Sequence, residues 1–254
     1  MFRNPFDGPR AKIERSHRHF VELAAAEALY NKPQDVTIDL VVQPNGDTKG
    51  FCRIGALPTL AQATIVADIV GAFRSSLDLA VCEACRARGA TDVSNTYFAF
   101  GGNEKDWDGN APRRMLNADA LVRSVVRSFQ PWKGNGNVLL YGLSKLAAQD
   151  KHVELIGLAA GPGELKIDGL KLHRDDGQLC RYDGVVPVWR DDQPTELFTI
   201  GAPAKVEITG PCVVKARFGF GPIHGLPLRP AIPILHEMGA MCEKIIETIE
   251  AAVT

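Results

Sequence analysis

Apolar side chains recur every three to four positions from Ile65 to Ala84, and a helical wheel gathers Ile65, Ile69, Val70, Phe73, Leu77, Ala80, Val81 and Ala84 on one broad face. The pattern predicts a helix from about Thr59 to Arg88. Asp68, Arg74 and Asp78 fall on its other side, and they are the only charged residues between Ile54 and Cys82. Their neighbours there are small: Gly71, Ser75, Cys82 and Cys85. A solvent-facing stripe normally carries long charged side chains, whereas small ones let another backbone come close. This helix is therefore expected to be covered on both sides, with its charges at least partly buried. A buried charge needs a partner, because losing hydration costs several kcal/mol per ion. Arg74 and Asp78 stand four apart and can pair directly. Such a pair is either a structural tie between helices or a polar site that the helices were arranged to hold.

The rest of the chain changes period twice. "GPRAKIERSHRHFVELAAAEALYNK" reads as an amphipathic helix, with Ile13, Phe20, Leu23 and Ala24 among its apolar positions. Residues 35–54 read as a β-hairpin turning at Asn45-Gly46, a pair suited to positive φ. Residues 95–116, rich in Gly, Asn and Asp, read as irregular. A helix follows Asn117 or Asp119 and stops near "FQPW" at Pro131, and a leucine-rich helix runs from about Asn137 to Gln149. After Asp150, "VELIGLAA", "ELKIDGLKL", "ELFTI" and "KVEITGPCVVKARFGF" read as strands, and "ILHEMGAMCEKIIETIEAA" as a closing helix. Helices and strands in blocks predict an α+β fold. An N-terminal helix and three central helices would pack with a mostly antiparallel sheet. The chain is expected to form one domain over residues 1–254, with a helical part at about 57–150 and a β-rich part at about 151–228 joined by the hairpin.

Composition narrows the functions little. Hydrophobic residues at 45% and charged residues at 23% are ordinary for a globular protein, and a net charge of −1 argues against a generally basic, nucleic-acid-coating surface. No apolar run approaches the ~18 residues of a membrane helix, and the polar start "MFRNPFDGPRAKIERSHRHF" is unlike a signal peptide. A cytoplasmic location without membrane association is expected, with the six cysteines as free thiols.

Three further signals bear on chemistry. Asp150, Lys151 and His152 sit where the leucine-rich helix gives way to a strand, a common position for functional residues. A histidine there either caps the helix or, titrating near neutrality, acts as a general base. Gln130, just before Pro131, ends the preceding helix and is placed to face the same region.

The helix "DIVGAFRSSLDLAVCEA", the "FQPW" turn and the "QDKHVEL" end of the leucine-rich helix together resemble a family of uncharacterised bacterial proteins. Its members carry a "GDALHNLRSALDHLAW"-like helix, a "QPY"-like turn and a "LLHELNNIDKHRLL"-like segment. The order matches over roughly residues 10–160, about 60% of the chain. The resemblance picks out Asp68, Arg74, Ser75, Asp78, Gln130, Pro131, Asp150, Lys151 and His152. The family's helix is also similar to that of HEPN domains, helical bundles that often cut RNA with an arginine and a nearby histidine. The histidine of the family-like "RSALDH" falls at Leu79 in this chain, so a nuclease of that kind would need His152 in its place.

Other motifs weaken on inspection. "CEAC" is a single C-x-x-C on a helix with no second pair at finger spacing, and buried thiols are the better reading. His19 and Glu22 are three apart, but with Glu14 and Arg18 they read as a solvated ion-pair face. The Arg229–His236 spacing spans Pro230 and Pro233 and looks accidental, and "GFGPIHG" lacks the Lys-Ser/Thr of a P-loop. No metal or cofactor is expected. The chain is expected to be an intracellular binding or structural module with a partly buried Arg/Asp/His cluster. The alternative is a HEPN-like, metal-independent RNase or nucleotide-acting enzyme. There Arg74 would stabilise phosphate charge, His152 would act as acid and base, and Asp78 and Asp150 would orient them, while Asp68, Ser75, Gln130 and Lys151 would serve binding. A second copy of the chain and an RNA or nucleotide ligand are the candidate partners.

Overall fold

The computed structural model describes residues 4–29, 36–54, 59–152, 156, 158–167, 170–173, 182–184, 195–202, 205–208, 212–220 and 230–254. Helix α1 (Asp7–Leu29) leads into strands β1 (Val36–Val42) and β2 (Thr48–Ile54). Four helices follow: α2 (Leu60–Ala87), α3 (Glu104–Arg114), α4 (Ala120–Ser128) and α5 (Val138–His152). The strands β3 (Leu158–Ile167), β4 (Leu170–His173), β5 (Tyr182–Gly184), β6 (Thr195–Ile200), β7 (Lys205–Ile208) and β8 (Cys212–Phe220) precede α6 (Ala231–Val253). The fold is α+β and closes on a helix, as the block pattern predicts.

Helix α2 is the hub and packs against α1, α4, α5 and α6. Seven of the eight residues on its predicted apolar face are buried, with Ile65 partly buried at the edge. They meet Phe20 and Leu23 of α1, Leu143 and Leu146 of α5 and Met238 of α6 in one core. On α1, Ile13, Phe20 and Leu23 face inward as expected, whereas Ala24 is exposed. The buried Glu27 accepts a hydrogen bond from the Phe218 backbone N–H at 2.7 Å, tying α1 to β8.

The hairpin forms in the predicted place, with Gly46 in the left-handed region at φ +87°. It joins the later strands, since β2 pairs antiparallel with β6 in a sheet ordered β1-β2-β6-β5. The remaining strands make two separate ribbons, β3-β8 and β4-β7, rather than extending that sheet. The run "KVEITGPCVVKARFGF" is two strands, β7 and β8, and β5 has no counterpart in the sequence pattern.

Two helical expectations need correction. Residues 95–116 contain α3, so there are four central helices and not three. Asn103 caps α3 by accepting from Asp106 N–H at 2.9 Å, acidic residues fill the first turn, and Arg113 and Arg114 fill the last. Gly109, Asn110 and Pro112 hide the helix from a propensity reading. Helix α5 also continues through His152, so Asp150 to His152 are its last residues rather than lying beyond a helix that ends at Gln149.

Candidate functional site

The close neighbour of α2 on its Arg74 side is an extended segment, residues 96–101, running antiparallel to the helix. The Cys82 thiol donates to Thr96 O at 3.3 Å. Four residues earlier, Asp78 Oδ1 accepts from Phe98 N–H at 2.8 Å, and Arg74 Nη2 donates to Phe98 O at 3.1 Å. Arg74 also grips Asp78, donating from Nε to Oδ2 at 3.1 Å while Nη2 lies 2.9 Å from Oδ1 as an ion-pair contact. The two side chains thus present one donor and one acceptor to both backbone groups of Phe98, as a neighbouring strand residue would. Their paired charges hold a strap of backbone against the helix.

The far side of the strap is held equally well. Tyr97 N–H donates to Arg114 O at 2.7 Å, Trp107 Nε1 to Ala99 O at 2.9 Å and Gly101 N–H to Pro131 O at 3.0 Å. Gly101 has no room for a Cβ, which would lie 2.8 Å from Trp107 Cβ and 2.9 Å from Asn103 O. The Arg74 guanidinium lies 4.5 Å from the centroid of the Phe100 ring, and Phe98 and Phe100 meet at 5.0 Å.

The ion pair is not sealed. Arg74 and Asp78 keep 17% and 22% of their side-chain surface open, and both line a pocket of about 380 Å³. Tyr97, Phe98 and Phe100 of the strap, Arg114 at the end of α3, and Ser144, Ala147 and Ala148 of α5 complete it. Burial pulls the Arg74 pKa below its ordinary value, Asp78 opposes that shift, and the nearby positive charge of Arg114 adds to it. Arg74 starts so far above neutrality that it stays cationic. The Arg114 side chain has no hydrogen bond or ion pair among the described residues.

Of the residues singled out in the sequence, the structure brings Arg74 and Asp78 together. Ser75 is half-buried beside them but does not line the pocket. Asp68 is exposed, contrary to the expected burial, because the strap's hydrogen bonds reach α2 only between Arg74 and Cys82. Gln130 lies in the left-handed region at φ +52°, and its exposed side chain lines a different pocket with Glu104, Arg127 and Trp132. It does not face Arg74. Helix α5 does meet the Arg74 pocket, through Ser144, Ala147 and Ala148. The side chains of Asp150, Lys151 and His152 at its end lie outside the described residues. Arg114 and the strap aromatics escaped the sequence reading, because α3 itself was hidden. Two arginines in succession after an Asn-capped acidic turn were the available signal.

Among the described residues, no group of three or more His, Cys, Asp or Glu side chains could hold a metal ion, and no helix is long and apolar enough to cross a membrane. His19 Nδ1 lies 3.3 Å from Glu22 Oε2. Cys82, Cys85 and Cys242 are free. Burial raises all three thiols, Cys85 to about 11 with Cys82 adding to the shift. Relative to an ordinary thiol, Cys85 then holds roughly a hundredth of the thiolate near pH 8. Site-mapped alkylation of the native protein should leave Cys85 and Cys242 unmodified while a control thiol reacts fully. Labelling at the control's rate would show that α2 and α6 open in solution.

Comparison with known protein families, curated proteins and solved structures gives no match to this chain.

Proposed function

We propose that this chain is a binding module that takes a small ligand in the pocket between α2, the strap and α5. The observation that carries the reading is the openness of the Arg74–Asp78 pair. Sealing the pair would strengthen its hydrogen bonds but strip water from both charges at several kcal/mol per ion, so partial exposure costs a structural tie little and leaves a fixed guanidinium within reach of a ligand in the recess. A recess of about 380 Å³ sits at the small end of ligand pockets, which run from roughly 300 to 1,000 Å³. Its walls are more polar than those of most such sites, since Arg74, Asp78, Tyr97, Arg114 and Ser144 all line it beside Phe100, which suits a ligand that carries charge. The resemblance to the uncharacterised bacterial family supports the same place, since Arg74 and Asp78 are among the residues it marks.

A nuclease reading has one observation in its favour: an arginine of the marked helix faces the pocket. Against it stand Leu79 where the base of a HEPN-like enzyme falls, and the full engagement of Arg74 with Asp78 and Phe98. Two measurements test the proposal. A fragment library screened by two-dimensional NMR should shift the amides of Ser144, Ala147 and Ala148 together. Single-stranded RNA incubated without metal should remain intact. Metal-independent cutting lost in both Arg74→Ala and His152→Ala would replace this reading with the enzymatic one, and a library without shifts at α5 would remove the pocket altogether.

A further inference from the structure

Resting on that pocket as a binding site, we infer that its ligand is a planar organic anion, an aromatic ring carrying one carboxylate or phosphate. The charges decide the sign. Asp78 spends both oxygens on Arg74 and on Phe98 N–H, so the Arg74–Asp78 pair is internally neutral. Among the described residues lining the pocket, Arg114 is the charge left over. An exposed arginine alone signifies little, since most such groups are simply hydrated. Here the guanidinium borders a recess whose other cation, Arg74, is fixed in place by two hydrogen bonds and its ion pair with Asp78. An anion entering the recess meets two guanidinium groups and one carboxylate that is already compensated.

The walls decide the shape. Phe100 carries the Arg74 guanidinium over its ring, 4.5 Å from the centroid, so an aromatic ring and a cation border the recess together. Tyr97, which also lines it, keeps 41% of its surface exposed, a large aromatic side chain left open to a ligand. Ser144, Ala147 and Ala148 of α5 line it with side chains that reach little beyond the helix backbone and leave room for a ring. The Ser144 hydroxyl donates to Tyr141 O at 2.9 Å, so to a ligand it offers an acceptor. A ring inserted there stacks against aromatic and guanidinium planes, and its anionic substituent reaches Arg114.

The test uses matched probes read by the same α5 amide shifts. Benzoate and adenosine 5′-monophosphate are the ring anions, benzyl alcohol and adenosine their neutral counterparts, and acetate and inorganic phosphate the anions without a ring. At least one ring anion should bind about tenfold more tightly than both its neutral and its ringless counterpart, the scale of one charge-assisted hydrogen bond. Whether benzoate or the nucleotide does so identifies the carboxylate or phosphate source. Arg114→Gln, which removes one last-turn charge of α3 but no side-chain hydrogen bond or ion pair among the described residues, should lower the melting temperature by at most a few degrees and bring the ring-anion preference close to one. Equal binding by the neutral rings, equal binding by the ringless anions, or a preference that survives Arg114→Gln overturns the anion assignment while leaving the pocket reading standing. No shift from any of the six probes, in a protein whose α5 amides also stay silent to the fragment library, removes both.

Discussion

Trp107→Ala should lower stability by about 3–5 kcal/mol, the range for deleting a large buried aromatic. Trp107 is 3% exposed and tilts against Trp132 with centroids 6.0 Å apart. Its indole also satisfies Ala99 O, and stranding that buried carbonyl costs roughly 1–3 kcal/mol more unless water reaches it. Trp107→Phe keeps much of the packing and loses the hydrogen bond, so its cost should be the smaller one. Urea unfolding of both variants separates the two contributions. A loss below ~1 kcal/mol for the alanine variant, within the spread of ordinary surface changes, would show that the strap does not depend on α3.

Arg74→Ala should cost about 2–3 kcal/mol, somewhat less than the ~3–5 kcal/mol of sealed pairs. About a fifth of each partner is open to water in the pocket, which lets solvent take over part of the lost attraction. The substitution leaves the Asp78 carboxylate and Phe98 O without their guanidinium. Replacing both residues by leucine or methionine would be mild for a pair that served only itself. Here it also abandons the N–H and C=O of Phe98, so the apolar double variant should be no more stable than Arg74→Ala. Arg74→Gln combined with Asp78→Asn retains one donor and one acceptor and should be the mildest of the three. Denaturant midpoints in the order amide pair above single above apolar pair check this. An apolar pair as stable as wild type would mean that the strap is held from the α3 side alone.

These expectations show which parts of the site were legible in the sequence. The long α2 period, the Asn45-Gly46 turn and the Asp119 cap each carry local signatures, and each is found in place. The need for a close neighbour beside Gly71, Ser75 and Cys82 was legible too, because small side chains on a polar face imply contact. The identity of that neighbour was not. Arg74 and Asp78 meet the backbone of Phe98, and backbone groups are the same at every residue. Asp68 shares their side of the wheel but lies beyond the reach of the strap, a limit set by tertiary geometry. Helix α3 was hidden because only Trp107 and Ala111 of its residues are buried, too few to register a period.

The strap also bears on the order in which the chain folds. Its contacts with α2 and α3 join residues 24, 20, 14 and 8 positions apart. The Lys49–Glu196 contact between β2 and β6 spans 147 positions, and the Glu27–Phe218 bond spans 191. Closing a short loop costs less entropy than closing a long one, and local contacts form faster. The walls that α2, the strap and α3 contribute to the pocket therefore belong to a contiguous stretch that can organise before the sheet has found its partners. Slow strand pairing then finishes a molecule whose pocket walls are already partly set.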